Sequence, residues 1–178
     1  MIAEHGQLGL AEALGGRLVG RVILVGVGNP LFGDDAAGCL TARGLKGTAG
    51  LEVIQADDAP ERHVVQIADS APDVVVLVDA VDLGAPVGSV AILEKEAMAR
   101  YEANTHRVPL GLLAEFIQRA CGADVFVVAI QPGRVELGAA VSPQVNRSVG
   151  LLRELIRQSV APTDCSAPGN VSPRHEAV

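Results

Sequence analysis

Aromatic side chains are nearly absent. The 178-residue chain has no tryptophan, one tyrosine and three phenylalanines, so its core must be filled by Val, Leu, Ile and Ala. With 49% apolar residues and 20 glycines, the composition fits a compact α/β domain of aliphatic packing. Cysteine is scarce too. Cys39, Cys121 and Cys165 are odd in number, far apart and form no CxxC pair, which excludes a disulfide framework and suits a reducing compartment. Bases are outnumbered, 14 Lys and Arg against 21 Asp and Glu, for a net charge of −7. No basic run interrupts that excess, which argues against nucleic-acid and anionic-membrane partners. No apolar run approaches the ~20 residues that span a bilayer, and the opening residues, with Glu4, His5 and Glu12, lack the basic region of a secretion signal. A cytoplasmic, monomeric protein is expected.

What is present is an alternation of apolar runs and amphipathic segments. Residues 22–27 are all apolar or glycine and read as a fully buried strand. Residues 51–56, 73–79 and 125–130 read likewise, while 87–93, preceded by Gly84 and Pro86, suits an antiparallel or edge strand. Helices are expected from Asp34 or Asp35 to about Gly47, over 60–68 with Val64, Val65 and Ile67 inward, over 109–121 with Gly122 as its stop, and over 143–160. This pattern predicts a three-layer sandwich, a mostly parallel twisted sheet with helices on both faces. Residues 1–20 read as an N-terminal extension with a short helix near 8–14, residues 21–160 as one α/β domain, and the polar residues 161–178 as a disordered tail.

In parallel sheets, ligands bind beyond the carboxyl ends of the strands. Two loops there carry acids: the turn Gly26-Val27-Gly28-Asn29-Pro30-Leu31-Phe32-Gly33-Asp34-Asp35 and the end of the strand closing on Asp79. The turn is a poor phosphate cradle. Leu31 occupies the third glycine position of a dinucleotide fingerprint, Pro30 removes an amide donor, and two carboxylates stand where phosphate would sit. The plain alternatives are that Asp34 is a helix N-cap, worth about 0.5–2 kcal/mol, that Asp35 favours a helix dipole, that Asp79 caps a loop, and that His106 is a surface histidine. Taken together they form a more specific set. Carboxylates on one rim raise each other's pKa unless a cation separates them, and His106, in the polar loop Ala103-Asn104-Thr105-His106-Arg107-Val108-Pro109, adds a nitrogen. Two oxygens and one nitrogen suit a first-row divalent metal and leave coordination positions open. No Gly-x-Ser-x-Gly elbow is present, and the cysteines lie in apolar or tail contexts, so a serine or cysteine nucleophile is not expected.

The segment from Gly26 through Asp35-Ala36-Ala37-Gly38 resembles the opening motif of the NiFe-hydrogenase maturation endopeptidases. Val78-Asp79-Ala80 is similar to the second motif of that family, and Thr105-His106-Arg107-Val108-Pro109-Leu110 to its histidine motif. With Ala129-Ile130-Gln131-Pro132, the likeness covers residues 21–158 and is greatest to the branch serving formate-hydrogenlyase-type hydrogenases. The resemblance implies a phosphorylase/hydrolase-like sandwich and an aspartate-dependent endopeptidase that clips the C-terminal extension of the hydrogenase large-subunit precursor after nickel insertion. It implies Asp35, rather than Asp34, with Asp79 and His106 as the residues contacting nickel, and Asp35 and Asp79 as the catalytic carboxylates. The nickel is expected to arrive in the precursor, with no tightly bound metal belonging to the enzyme. The sequence departs from relatives at Ala56-Asp57-Asp58-Ala59-Pro60-Glu61, where Asp-Gly-Gly or Gly-Thr is usual. A non-catalytic nickel-recognising chaperone of the same precursor is the alternative.

Overall fold

Strands that are apolar at consecutive positions must be covered on both faces, and the chain supplies both covers. The computed structural model describes residues 4–98 and 109–160; the expectations for His106 and for the tail 161–178 lie outside them. Among the described residues, β1 (Val22–Val27), β2 (Leu51–Asp57), β3 (Val74–Ala80), β4 (Val90–Leu93) and β5 (Asp124–Ile130) form one sheet in the order β2-β1-β3-β5-β4. β1, β2, β3 and β5 are parallel, and β4 pairs antiparallel with β5 at the edge.

Alternate residues of each strand feed two cores. Val22, Leu24, Val76, Val78, Phe126 and Val128 pack under α1 (Glu4–Arg17), α2 (Ala37–Leu45) and α6 (Pro143–Ser159). Ile23, Val25, Val75, Leu77, Val125 and Val127 pack under α3 (Val64–Asp69), α4 (Lys95–Met98) and α5 (Leu110–Cys121). The result is the expected three-layer α/β sandwich. α5 stops at Gly122, which adopts φ +76° and donates its N–H to Gln118 O. In α6, Val145, Val149, Leu152 and Ile156 are buried, the stripe that their spacing predicts.

Two local expectations differ from the structure. The first helix is longer than residues 8–14 and runs through Gly15 and Gly16 to Arg17. Leu10, Leu14 and Leu18 are buried in the first core, and Arg17 bridges Glu94 and Asp124 while its guanidinium sits 4.0 Å from the Phe126 ring centroid. Packing and ion pairing thus outweigh the roughly 1 kcal/mol that each helical glycine costs. Val65, expected inward, is exposed at 71% while Ile67 is fully buried. The segment opens as a 3-10 turn, Pro60–His63, before the α-helix begins at Val64, and that change of winding rotates Val65 outward.

The strand order also locates the crevice. From β1 the chain moves outward to β2, then crosses to β3 on the other side of β1. The loops after β1 and β3 therefore diverge, and the space between them is the switch point at which such sheets bind ligands.

Candidate active site

Gly28 makes the turn after β1 possible. Its φ is +128°, a conformation that L side chains rarely adopt. A Cβ there would overlap the Asp35 carbonyl oxygen and come within 3.7 Å of Asp79 Oδ1. The Asp79 carboxylate therefore lies beside Gly28 at the switch point. Asn29 ties the turn, its Oδ1 accepting a bond from Leu31 N at 3.0 Å, an Asx turn. Asn29 N donates to Asp35 Oδ2 at 2.7 Å. Asp79 lies one residue from the end of β3, with Oδ1 accepting from Ala80 N at 2.8 Å. Each acid is only 7% exposed, so both are largely enclosed yet open to the rim.

Asp34 has a different role from the one expected of it. It is not an N-cap: the cap position of the 3-10 segment Gly33–Ala36 is Phe32, and no side chain caps it. Asp34 is fully buried and reaches across the rim to the loop between β5 and α6. Its Oδ2 accepts from Gly133 N at 2.8 Å, Arg134 N at 2.9 Å and Ser142 Oγ at 2.7 Å, and its Oδ1 from Ser142 N at 2.6 Å. Burial pushes this carboxyl upward, but the bonds from Ser142, Arg134 and Gly133 together outweigh it and hold the pKa below the ordinary value. Adjacent residues thus divide the work. Asp34 fastens one loop to the other, and Asp35 faces the crevice.

Gln131 organises the loop that follows Asp79. It is 7% exposed, and its Oε1 accepts from Leu83 N at 2.6 Å and Ala85 N at 3.2 Å, while Nε2 donates to Asp82 Oδ1 at 3.1 Å and to Pro132 O at 2.9 Å. The bonds from Gly84 N and Gln131 hold the Asp82 carboxyl below its ordinary pKa. Gln131 belongs to the Ile-Gln-Pro segment singled out from the sequence, but its task of bracing 82–85 was not legible there. Ser142 carried no sequence signal at all.

Beneath the acids lies Cys39, fully buried. Its thiol donates to Gly28 O at 3.2 Å and to Asp57 Oδ1 at 3.5 Å. Burial, then the Asp57 bond and the charges of Asp57, Asp79 and Asp35, push its pKa up to about 12. Such a thiol stays protonated and is no nucleophile. Among the described residues, no group of three His, Cys, Asp or Glu is arranged to hold a metal ion. Asp35 Oδ2 lies at Asn29 N and Asp79 Oδ1 beside the adjoining Gly28, and the third expected ligand, His106, lies outside the described residues. Among those residues, too, no helix is long and apolar enough to cross a membrane.

The family model described as hydrogenase maturation protease, HycI, matches residues 41–159, a stretch that contains Asp79 and begins after Asp35. The hydrogenase 3 maturation protease of Escherichia coli K12 is 33% identical over 113 residues, 62% of this chain and 72% of that one. The solved structure of the NiFe hydrogenase maturation protease HycI from Thermococcus kodakarensis superposes with a TM-score of 0.76 at 30% identity, over 85% of this chain and 97% of that one. The maturation protease HybD of the same organism shares the fold, with a TM-score of 0.64 at 22% identity over 80% and 100% of the two chains.

Proposed function

Since the chain belongs to the hydrogenase maturation protease family, we propose that it is an endopeptidase that removes the C-terminal extension of a NiFe-hydrogenase large-subunit precursor, reading the precursor-bound nickel as its recognition element. The observation that carries this reading is that Asp35 Oδ2 at Asn29 N and Asp79 Oδ1 beside Gly28 meet on one turn at the switch point. Two carboxylates so placed repel each other, and a cation brought by the substrate relieves that repulsion. An empty precursor lacks the cation, so the same geometry discriminates against it. His106 is the third proposed contact. Three side chains form an incomplete site, so the enzyme is proposed to hold no tight metal of its own. Asp35 or Asp79 then serves as general base toward the water that attacks the scissile carbonyl. The cytoplasm is the proposed location, in keeping with the scarce, unpaired cysteines.

The test is mass spectrometry of the precursor, with and without nickel, after incubation with chelator-treated enzyme from which the chelator has been removed. Cleavage of the nickel-loaded precursor alone is expected. Equal cleavage of both precursors, or activity regained only on adding metal to the enzyme, would sink the substrate-metal reading. An unchanged precursor mass would leave the chaperone.

A thiol mechanism makes a different prediction. With its pKa at about 12, Cys39 should be dispensable. A variant carrying Cys39→Ala and Cys121→Ser, cut after Val160 so that Cys165 is lost, is expected to retain processing and resist alkylating agents. Loss of activity on alkylation of one cysteine in the full chain would revive the nucleophile.

A further inference from the structure

The chain exposes large aliphatic side chains in two loops at the same end of the sheet as the crevice. Leu31, in the turn after β1, is 65% exposed; Val135 and Leu137, in the loop after β5, are 50% and 71% exposed. They come from segments about 100 residues apart, yet the backbone joins them side by side. Gly138 N donates to Leu31 O at 2.8 Å, and Asp34 N donates to Arg134 O at 2.9 Å. Gly33 completes the seam, with room for a Cβ denied by Arg134 O at 2.6 Å and Ala139 Cβ at 3.2 Å. Between Val135 and Leu137, Glu136 is neutralised by Arg134 at 2.9 Å, so no unpaired charge of that pair interrupts the apolar lip.

We propose that Leu31, Val135 and Leu137 form the docking lip for the precursor, taking an extended peptide segment whose apolar side chains lie directly beside its cation-bearing region. This rests on the endopeptidase reading of the same site and adds what the substrate must carry. The occupant follows from continuity and charge. Leu31 belongs to the same turn as Asp35 and is joined by the Gly138 N bond to the loop of Val135 and Leu137, so the lip is continuous with the segment that carries the first carboxylate. The rim beyond it, with Asp35, Asp57, Asp58, Asp79 and Asp82, is acidic and calls for a cation, whereas the lip calls for apolar surface. Apolar patches of this kind on an otherwise charged rim mark binding sites. A single polypeptide that presents both features meets both demands, and the lip fixes its register against Asp35 and Asp79.

The experiment compares wild type with the triple variant Leu31→Ser, Val135→Ser, Leu137→Ser, and with Val19→Ser as control. Val19 is 57% exposed but precedes β1, at the opposite end of the sheet. The substrate is the nickel-loaded precursor, and cleavage and binding are both measured. The triple variant should keep its melting temperature and raise KM by about tenfold with kcat changed less than about twofold, the mark of lost uniform binding. Serines replacing the apolar residues beside the cation-bearing region of the precursor should raise KM for wild type and add little for the triple variant. Equal KM for the two enzymes, equal effects of Val19→Ser, or full additivity of enzyme and precursor changes would overturn the lip. So would a wild-type dimer in sedimentation that the triple variant abolishes, because the patch would then cover a second copy. A wild type that binds the precursor more tightly than the triple variant but never cleaves it overturns the endopeptidase reading and leaves the lip standing.

Discussion

Replacing Asp34 by Asn is expected to cost about 3 kcal/mol of stability, and Asp34→Ala more than about 4, well beyond the loss of a helix cap. The carboxylate accepts four bonds in a fully buried place. Asn offers one acceptor oxygen and turns an NH2 group toward either Ser142 N or the pair Gly133 N and Arg134 N. In each orientation at least one backbone N–H faces a donor beside the buried side chain, and every remaining bond loses its charge assistance. Ala leaves all four donors without their acceptor. In a chain of this length, 3 kcal/mol lowers the melting temperature by roughly 6–12 °C. The pH dependence has a defined sign. The folded carboxyl lies below its ordinary value, so its contribution is fully present above the unfolded pKa of about 3.9 and is lost as pH falls through the lower folded value. The stability gap between wild type and Asp34→Asn should be constant above about pH 5 and close below about pH 4. Denaturant unfolding at several pH values reads this directly. A loss under about 1 kcal/mol at neutral pH would show that the clamp contributes no more than one ordinary hydrogen bond.

Asp34 shows where the sequence is legible and where it is not. The sheet could be read because its interior strands are apolar on both faces, and Val22–Val27 matches its expected bounds residue for residue. The acidic rim could be read because a parallel sheet places loops after β1 and β3 at one end. What Asp34 does there could not be read. Its partners are 99 to 108 residues away, and an Asp before a helix carries the same local signature whether it caps or clamps. Leu10, Leu14 and Leu18 do carry a helical spacing, but Gly15 and Gly16 argued for a stop. Packing does not demand either glycine: a Cβ on Gly15 would meet only Ser159 Oγ at an ordinary 3.9 Å, and one on Gly16 would meet nothing within 4 Å, so the helix persists because its leucines are buried. The exposed lip had no local signature for a related reason: Leu31 and Leu137 look like ordinary loop aliphatics until the Gly138–Leu31 bond brings them together.

The neighbouring acids should respond in the opposite way. Asp35→Asn and Asp79→Asn are each expected to reduce processing of nickel-loaded precursor by at least about 100-fold, the scale of a lost general base, while the melting temperature holds or rises. Both side chains sit at the rim with 7% exposure, and each amide variant retains an oxygen to accept the bonds from Asn29 N or Ala80 N. Removing one of two like charges around Gly28 relieves repulsion in the empty enzyme. It also removes the reason for a cation to bind, so affinity for nickel-loaded precursor should fall toward that for nickel-free precursor. Stability and activity therefore separate the adjacent pair: Asp34 variants lose fold and activity together, whereas Asp35 variants lose activity alone. Calorimetry beside the cleavage assay distinguishes them. An Asp35→Asn enzyme that cleaves at the wild-type rate would transfer the role to another acid of the rim, and an Asp79→Asn enzyme that melts several degrees lower would make Asp79 a structural residue of β3 rather than a reactive one.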